Sequence, residues 1–291
     1  MVSQPKEFSF LIVSDIHESM ENVKKLVEYH SKTQTKFDYI LCCGDIVTVP
    51  NNEQDFPESA KKYEPMIADL FKELEKICPN IVYVPGNHEP YTTFKEDSPQ
   101  LTKGTIGLHK KYLKLTDDLY MIGLGGSPPI LHGDKYSNDQ IPFKDVNVKQ
   151  YKWDGYPYNV DKTEENYPRS DAILLKDLMV PVEKLKKEVG DKASLILLSH
   201  VGPLYTLTNY MNIADENIYL GSEQLGQWFV DEKNCFLNIH GHSHPAKGVI
   251  NIMEKKTVIN PGDLASGNYA VIKIKKNNDE WTLESTSLCL L

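Results

Sequence analysis

Residues 235–245 read CFLNIHGHSHP, an apolar run that ends on a glycine and two histidines spaced by one residue. Three of the nine histidines in the chain fall within positions 240–244. A continuous apolar run suits a strand buried on both faces, and the carboxyl end of such a strand is where layered α/β folds gather ligands. The same pattern recurs in FSFLIVSD (8–15), FDYILCCGD (37–45), NIVYVPGNH (80–88), LYMIGLGG (119–126) and SLILLSH (194–200). Between these runs lie helical patterns: Glu21 to Gln34, Glu58 to Ile77, Asp171 to Val189 with an interruption expected at Pro181, and Glu223 to Lys233 behind Ser222 as N-cap. Strands alternating with helices imply a layered α/β architecture.

After residue 245 the pattern changes. VIN (258–260), NYAVIKIKK (268–276) and WTLESTSL (281–288) are expected to form an antiparallel sheet section that closes the domain. The stretch 127–170 carries five prolines, five tyrosines and Trp153 with little periodicity. So long a loop is expected to be a lid or a packed excursion. No Gly/Ser linker, repeat or low-complexity tract divides the 291 residues, so one domain is expected over 1–291, with 127–170 as its insertion.

Composition narrows the function classes. A net charge of −9 provides no global positive field for gathering DNA or RNA and disfavours extended nucleic acid as a partner. No apolar run approaches the ~20 residues of a membrane helix, and MVSQPKEFSFLIVSD shows no signal-peptide pattern. Five cysteines, several of them in apolar runs, read as reduced hydrophobes, and a cytoplasmic location is expected.

The ends of the apolar runs collect one kind of chemistry. Asp15 and His17 stand in SDIH, Asp45 in CGD, Asn87 and His88 in PGNHE, His200 in LSH, and His242 and His244 in GHSH. Carboxylates, a carboxamide and imidazoles without cysteine suit Mn²⁺, Fe or Zn²⁺. The set exceeds one tetrahedral site; two divalent metal ions sharing a carboxylate such as Asp45 would use it fully. The one-residue spacing of Asp15 from His17, and of His242 from His244, is expected to project each pair to one side of extended backbone. The glycines before Asp45, Asn87 and His242 are expected to permit sharp turns.

These motifs, D-x-H, GD, GNH[DE], H and GH-x-H in order, resemble the calcineurin-like metallophosphoesterases from Phe8 to His244. The resemblance implies a two-sheet β-sandwich flanked by helices, a four-layer αββα fold, with a dinuclear metal centre. It implies that Asp15, His17 and His244 hold one metal and Asn87, His200 and His242 the other, with Asp45 bridging. His88 would then face the substrate as the catalytic residue. His240 has no role in the family pattern and is expected to be structural, as are His30, His109 and His132. The expected reaction is in-line attack by metal-bound hydroxide on a phosphate ester, with His88 protonating the leaving oxygen.

The sequence departs from the serine/threonine protein phosphatase branch, which carries G-D-x-V-D-R-G. Here the motif reads GDIVTVP, with Thr48 and Val49 in place of the second aspartate and the arginine. A protein phosphatase is therefore disfavoured; the chain resembles instead the smaller phosphodiesterase-type branches, in which GLGGSPP (123–129) and SHVGPLYT (199–206) also have counterparts, and this resemblance implies small phosphodiesters or nucleotides as the favoured substrates. A phosphomonoesterase or protein phosphatase, and a non-catalytic scaffold on the same fold, are the alternatives. Trp153 and Tyr156 are candidates to stack on a base, and Arg169 is a candidate to grip phosphate.

Overall fold

The structure, a computed structural model, describes residues 6–50, 57–96, 98–127, 131–133, 149–150, 167–204, 206–213, 216–252 and 255–291. In chain order its first half contains β1 (Glu7–Val13), α1 (Met20–Thr33), β2 (Tyr39–Cys42), α2 (Pro57–Leu74), β3 (Ile81–Tyr83), β4 (Thr105–Gly107), β5 (Tyr112–Lys114) and β6 (Leu119–Leu124). There follow β7 (Leu131–Gly133), β8 (Lys149–Gln150), α3 (Tyr167–Val189), β9 (Ser194–Ser199), β10 (Tyr210–Ile213), β11 (Glu216–Tyr219), α4 (Glu223–Asp231) and β12 (Cys235–Ile239). The last strands are β13 (Gly248–Ile252), β14 (Lys256–Asn260), β15 (Asn268–Asn277) and β16 (Glu280–Leu290).

Two mixed six-stranded sheets result, in the orders β16-β15-β1-β2-β3-β4 and β13-β14-β12-β9-β6-β5. In the first sheet β1 to β4 run parallel and β15 is antiparallel to β1. In the second, β6, β9, β12 and β14 run parallel, with β5 and β13 antiparallel at the two edges. The alternation of side chains along each strand sorts residues into layers. Phe10 and Ile12 of β1 join Ile196 and Leu198 of β9 and Leu237 and Ile239 of β12 between the sheets. Leu11 and Val13 face the other way, toward Val23 and Leu26 of α1 and Ile67 and Phe71 of α2. Leu195 and Leu197 pack outward on Leu174, Leu178, Val182 and Leu185 of α3 and on Leu225 and Phe229 of α4. These layers are helices, sheet, sheet, helices, the expected αββα sandwich.

Three expectations are corrected. First, α3 runs through Pro181 without interruption. Its buried stripe of Leu174, Leu178, Val182 and Leu185 packs on the second sheet on both sides of the proline, and this burial offsets a proline cost of ~3 kcal/mol. Second, the segment 258–260 does not join 268–276 in one antiparallel section: β14 lies in the second sheet, parallel to β12, whereas β15 and β16 complete the first. Third, the stretch 127–170 is not wholly irregular. Within it, 131–133 and 149–150 are strands of a small sheet ordered β10-β11-β7-β8, and 167–170 begin α3. The expected N-cap holds: Ser222 Oγ accepts from Leu225 N at 3.0 Å.

Candidate metal centre

The carboxyl ends of β1, β2 and β3 in one sheet meet those of β9 and β12 in the other. Short hydrogen bonds tie the loops together. Asp15 N donates to Gly44 O (2.9 Å), His17 N to Asp45 O (3.1 Å) and Gly241 N to His200 O (2.9 Å). Two bonds cross between the sheets: His242 N donates to Asp15 Oδ2 at 3.0 Å, and His200 Nδ1 lies 2.7 Å from Cys43 O.

Seven of the residues named from the sequence as metal ligands converge here. One donor atom from each of Asp15, His17 and His244 lies within 4.8 Å of the other two, and the same is true of Asp45, His200 and His242. His244 Nε2 stands 3.0 Å from Asp15 Oδ1 and 3.3 Å from His17 Nε2. His200 Nε2 stands 2.9 Å from Asn87 Oδ1, 3.1 Å from His242 Nδ1 and 3.4 Å from Asp45 Oδ2. Asp15, Asp45, Asn87 and His200 are buried, while His17, His242 and His244 are half-buried. His88 donates its backbone N–H to Asp45 Oδ1 at 3.0 Å, and its ring meets that of His17 edge-on at 5.6 Å between centroids.

The local backbone is not the extended one expected. Asp15, His17, Asp45 and His242 have φ of 50°, 44°, 50° and 66°, in the left-handed region. The chain turns back on itself as it leaves each strand, and the loop-to-loop hydrogen bonds hold the turn. Gly86 and Gly241 serve close approach rather than a positive φ. A Cβ on Gly86 would stand 2.1 Å from Asp45 Oδ1, and one on Gly241 would stand 1.8 Å from Ser14 Oγ and 2.5 Å from Asp15 Oδ2. Each glycine lets a carboxylate from another strand lie against backbone.

Burial opposes charge throughout the centre, and the outcome depends on neighbours. It would raise Asp15 and Asp45, yet the His244 hydrogen bond on Asp15 and the His200 charge beside Asp45 leave both below the usual carboxylate range. Burial would lower His200 and His244, but Asp45 holds His200 up at about 9 and Asp15 raises His244. Desolvation prevails at His17, which is lowered, and at His242, pushed down to about 3.

The donors fit divalent cations. Imidazole nitrogens and carboxylate oxygens crowd together at hydrogen-bonding distance, and His242 Nε2 is buried with no hydrogen-bond partner among the described residues.

The sequence reading missed two parts of the site. Glu89 is fully buried and accepts from the N–H groups of Asp45 (3.1 Å), Ile46 (2.5 Å), Val47 (3.2 Å) and Gly86. Burial and the Asp45 charge push its carboxyl up to about 8, against the pull of these donors. Thr48 bonds both Glu18 and the ring of His17. Glu89 stands inside the GNHE motif, a signal that could have found it; nothing in the sequence linked Glu18 with Thr48.

The remaining histidines behave as structural residues where their side chains are described. His240 is buried between Thr208 Oγ1 (2.9 Å) and Gly241 O (3.0 Å). His109 accepts from Gly125 N at 2.9 Å, and His30 packs among Tyr29, Phe37 and Tyr269. Trp153 and Tyr156 lie outside the described residues, and Arg169 lies in the first turn of α3.

A four-layer sandwich with this donor set at its strand ends is the architecture of metal-dependent phosphate-ester hydrolases. The model of the calcineurin-like phosphoesterases matches residues 8–246, and the chain belongs to that family. Two solved structures share the fold at low identity. TT1561 of Thermus thermophilus is 16% identical over 96% of this chain and 98% of its own, at a TM-score of 0.51. A second structure is 17% identical over 97% of this chain and 100% of its own, at 0.58. The phosphopantetheinyl hydrolase PptH of Mycobacterium tuberculosis is 12% identical over 89% and 91%, at 0.46. No curated protein matches the chain significantly.

Proposed function

We propose that the chain hydrolyses small phosphodiesters or nucleotides with two divalent cations of the Mn²⁺, Fe or Zn²⁺ type. The observation that carries this reading is the pair of His/Asp groups where the parallel strands of both sheets end. Asp15, His17 and His244 hold one cation and Asn87, His200 and His242 the other, with Asp45 shared. When bound, the cations supply Lewis-acid activation of water and neutralise phosphate charge. Asp15 and Asp45, both below the usual carboxylate range, stay ionised to face them. His88, fixed by its N–H on Asp45, donates the proton to the leaving oxygen.

Two observations favour small substrates over phosphoproteins and nucleic acid. Thr48, at the position of the second aspartate of the protein phosphatases, contacts His17 and Glu18, and His88 Nδ1 has no partner among the described residues. The net charge of −9 leaves attraction of an anion to the centre itself. Trp153, Tyr156 and Arg169, in or beside a lid at 127–170 of a single domain, are the proposed substrate contacts. All five cysteines are free, which supports a cytoplasmic location. No described helix is long and apolar enough to cross a membrane.

The test is hydrolysis of bis-p-nitrophenyl phosphate and p-nitrophenyl phosphate by Mn²⁺-reconstituted protein whose metal content is measured. Diester preference is expected, abolished in Asp45→Asn and lowered about 10²–10⁴-fold in His88→Ala. Monoester preference would make the protein a phosphomonoesterase, and metal-free, inactive protein would leave the scaffold reading in its place.

A further inference from the structure

We infer that Glu18 and Thr48 form a positioning pair that fixes the ring of His17 and holds its proton on Nδ1, leaving Nε2 bare toward Asp15 and His244. The inference rests on the reading of Asp15, His17 and His244 as ligands of one cation.

The direction of the chain of hydrogen bonds follows from proton inventory. Thr48 has one hydroxyl hydrogen, and it goes to Glu18 Oε2 at 3.2 Å, while Glu18 Oε1 accepts from Thr48 N at 2.6 Å. A carboxylate only accepts, so Thr48 Oγ1 keeps its lone pairs for His17 Nδ1 at 2.9 Å. His17 Nδ1 must then be the donor. The opposite nitrogen, Nε2, faces His244 Nε2 at 3.3 Å without a hydrogen of its own. A neutral imidazole binds a cation through the nitrogen that lacks the proton, and the partner of the other nitrogen decides which one that is.

The backbone supports the arrangement independently. His17 and Glu18 are consecutive non-glycine residues at φ 44° and 57°, a conformation that crowds Cβ against the following carbonyl and persists only where neighbouring contacts hold it. It is held by His17 N donating to Asp45 O and Glu18 N to Ile46 O, at 3.1 and 3.0 Å. This turn brings Glu18 back over Thr48. On the other side, Val47 and Val49 are wholly buried and Val49 N donates to His88 O at 3.0 Å, so exposed Thr48 projects from an anchored segment. The carboxylate that steers His17 thus comes from its own chain neighbour, through a hydroxyl two residues past the strand-end turn at Asp45 and Ile46.

The test compares wild type, Thr48→Val, Thr48→Ser and Glu18→Ala. Cation binding is read by calorimetric titration with Mn²⁺, and the His17 tautomer by nitrogen NMR of the metal-free protein. Wild-type His17 is expected as the Nδ1–H form. Thr48→Val and Glu18→Ala should weaken one of the two cations by about 10–100-fold and leave the other unaffected, with Thr48→Ser restoring it. An Nε2–H tautomer in wild type, or full cation affinity in Thr48→Val, overturns the inference. Wild type that takes up no cation overturns the metal reading instead, and the tautomer still decides the positioning pair. Should Thr48→Val fail to fold, Thr48→Ser and Glu18→Ala carry the comparison.

Discussion

The Glu89 carboxyl group accepts from backbone N–H groups on both the Asp45 loop and the Gly86 turn, and so joins the segment that presents Asp45 to the one that presents Asn87 and His88. A buried N–H left without an acceptor costs about 1–3 kcal/mol, and four are at stake here. Glu89→Ala should therefore lower unfolding stability by about 3 kcal/mol or more, read as a fall in urea midpoint with unchanged slope. Glu89→Gln, which keeps one accepting oxygen, should fall between. A loss under about 1 kcal/mol for the alanine variant would show that water replaces the carboxylate. Glu89 shows how much of the site the sequence discloses. The ligand residues stand out because metal chemistry selects a few residue types at strand ends, whereas a glutamate that binds backbone resembles any other charged residue.

Helix α4 illustrates what local pattern leaves out. Its start is legible in Ser222, but Asp171, 51 positions earlier, also accepts from Ser222 Oγ and, at 3.1 Å, from Gln224 N. At the other end, Lys256 from β14 donates to the carbonyls of Phe229, Glu232 and Cys235 at 2.6, 2.6 and 3.1 Å. A negative group thus meets the N-terminus and a positive one the C-terminus, each matching the helix dipole. Lys256→Met should cost about 2–3 kcal/mol, because charged hydrogen bonds to otherwise orphaned carbonyls are lost. Metal content should be unchanged, and a combined loss of metal and stability would argue against so local a role. Six of the interior strands, β1, β2, β3, β6, β9 and β12, were legible because burial on both faces leaves continuous apolar runs. The edge strand GVINI (248–252) was not, since its side chains alternate between half-buried and exposed. The parallel pairing of β14 with β12 was hidden because β13 intervenes between them in the sequence yet lies outside both at the sheet edge.

At the scale of the molecule, the chain passes from one sheet to the other between β4 and β5, and His109 sits at that crossing. It is buried, its Nδ1 accepts from Gly125 N at 2.9 Å, and burial pushes it down to about 3. His240, beneath the GHSH loop of the second sheet, is likewise pushed down to about 4. Both rings are neutral in the fold at neutral pH, while an unfolded chain protonates each near the ordinary histidine value of 6.5. Above that pH neither state binds the proton, and the full stability is present. As pH falls below it, the unfolded state takes up protons that the folded state refuses, and stability drops until the folded pKa is reached. By pH 5 each ring should have cost about 2 kcal/mol. His200 and His244 are shifted the opposite way, so the total slope is a difference and a single-site comparison is needed. Asparagine can accept from Gly125 N but does not titrate, so between pH 8 and pH 5 wild type should lose about 2 kcal/mol more than His109→Asn in urea unfolding. Equal losses in the two proteins would mean that His109 takes up its proton in the folded state, and that the crossing between the sheets is open to water.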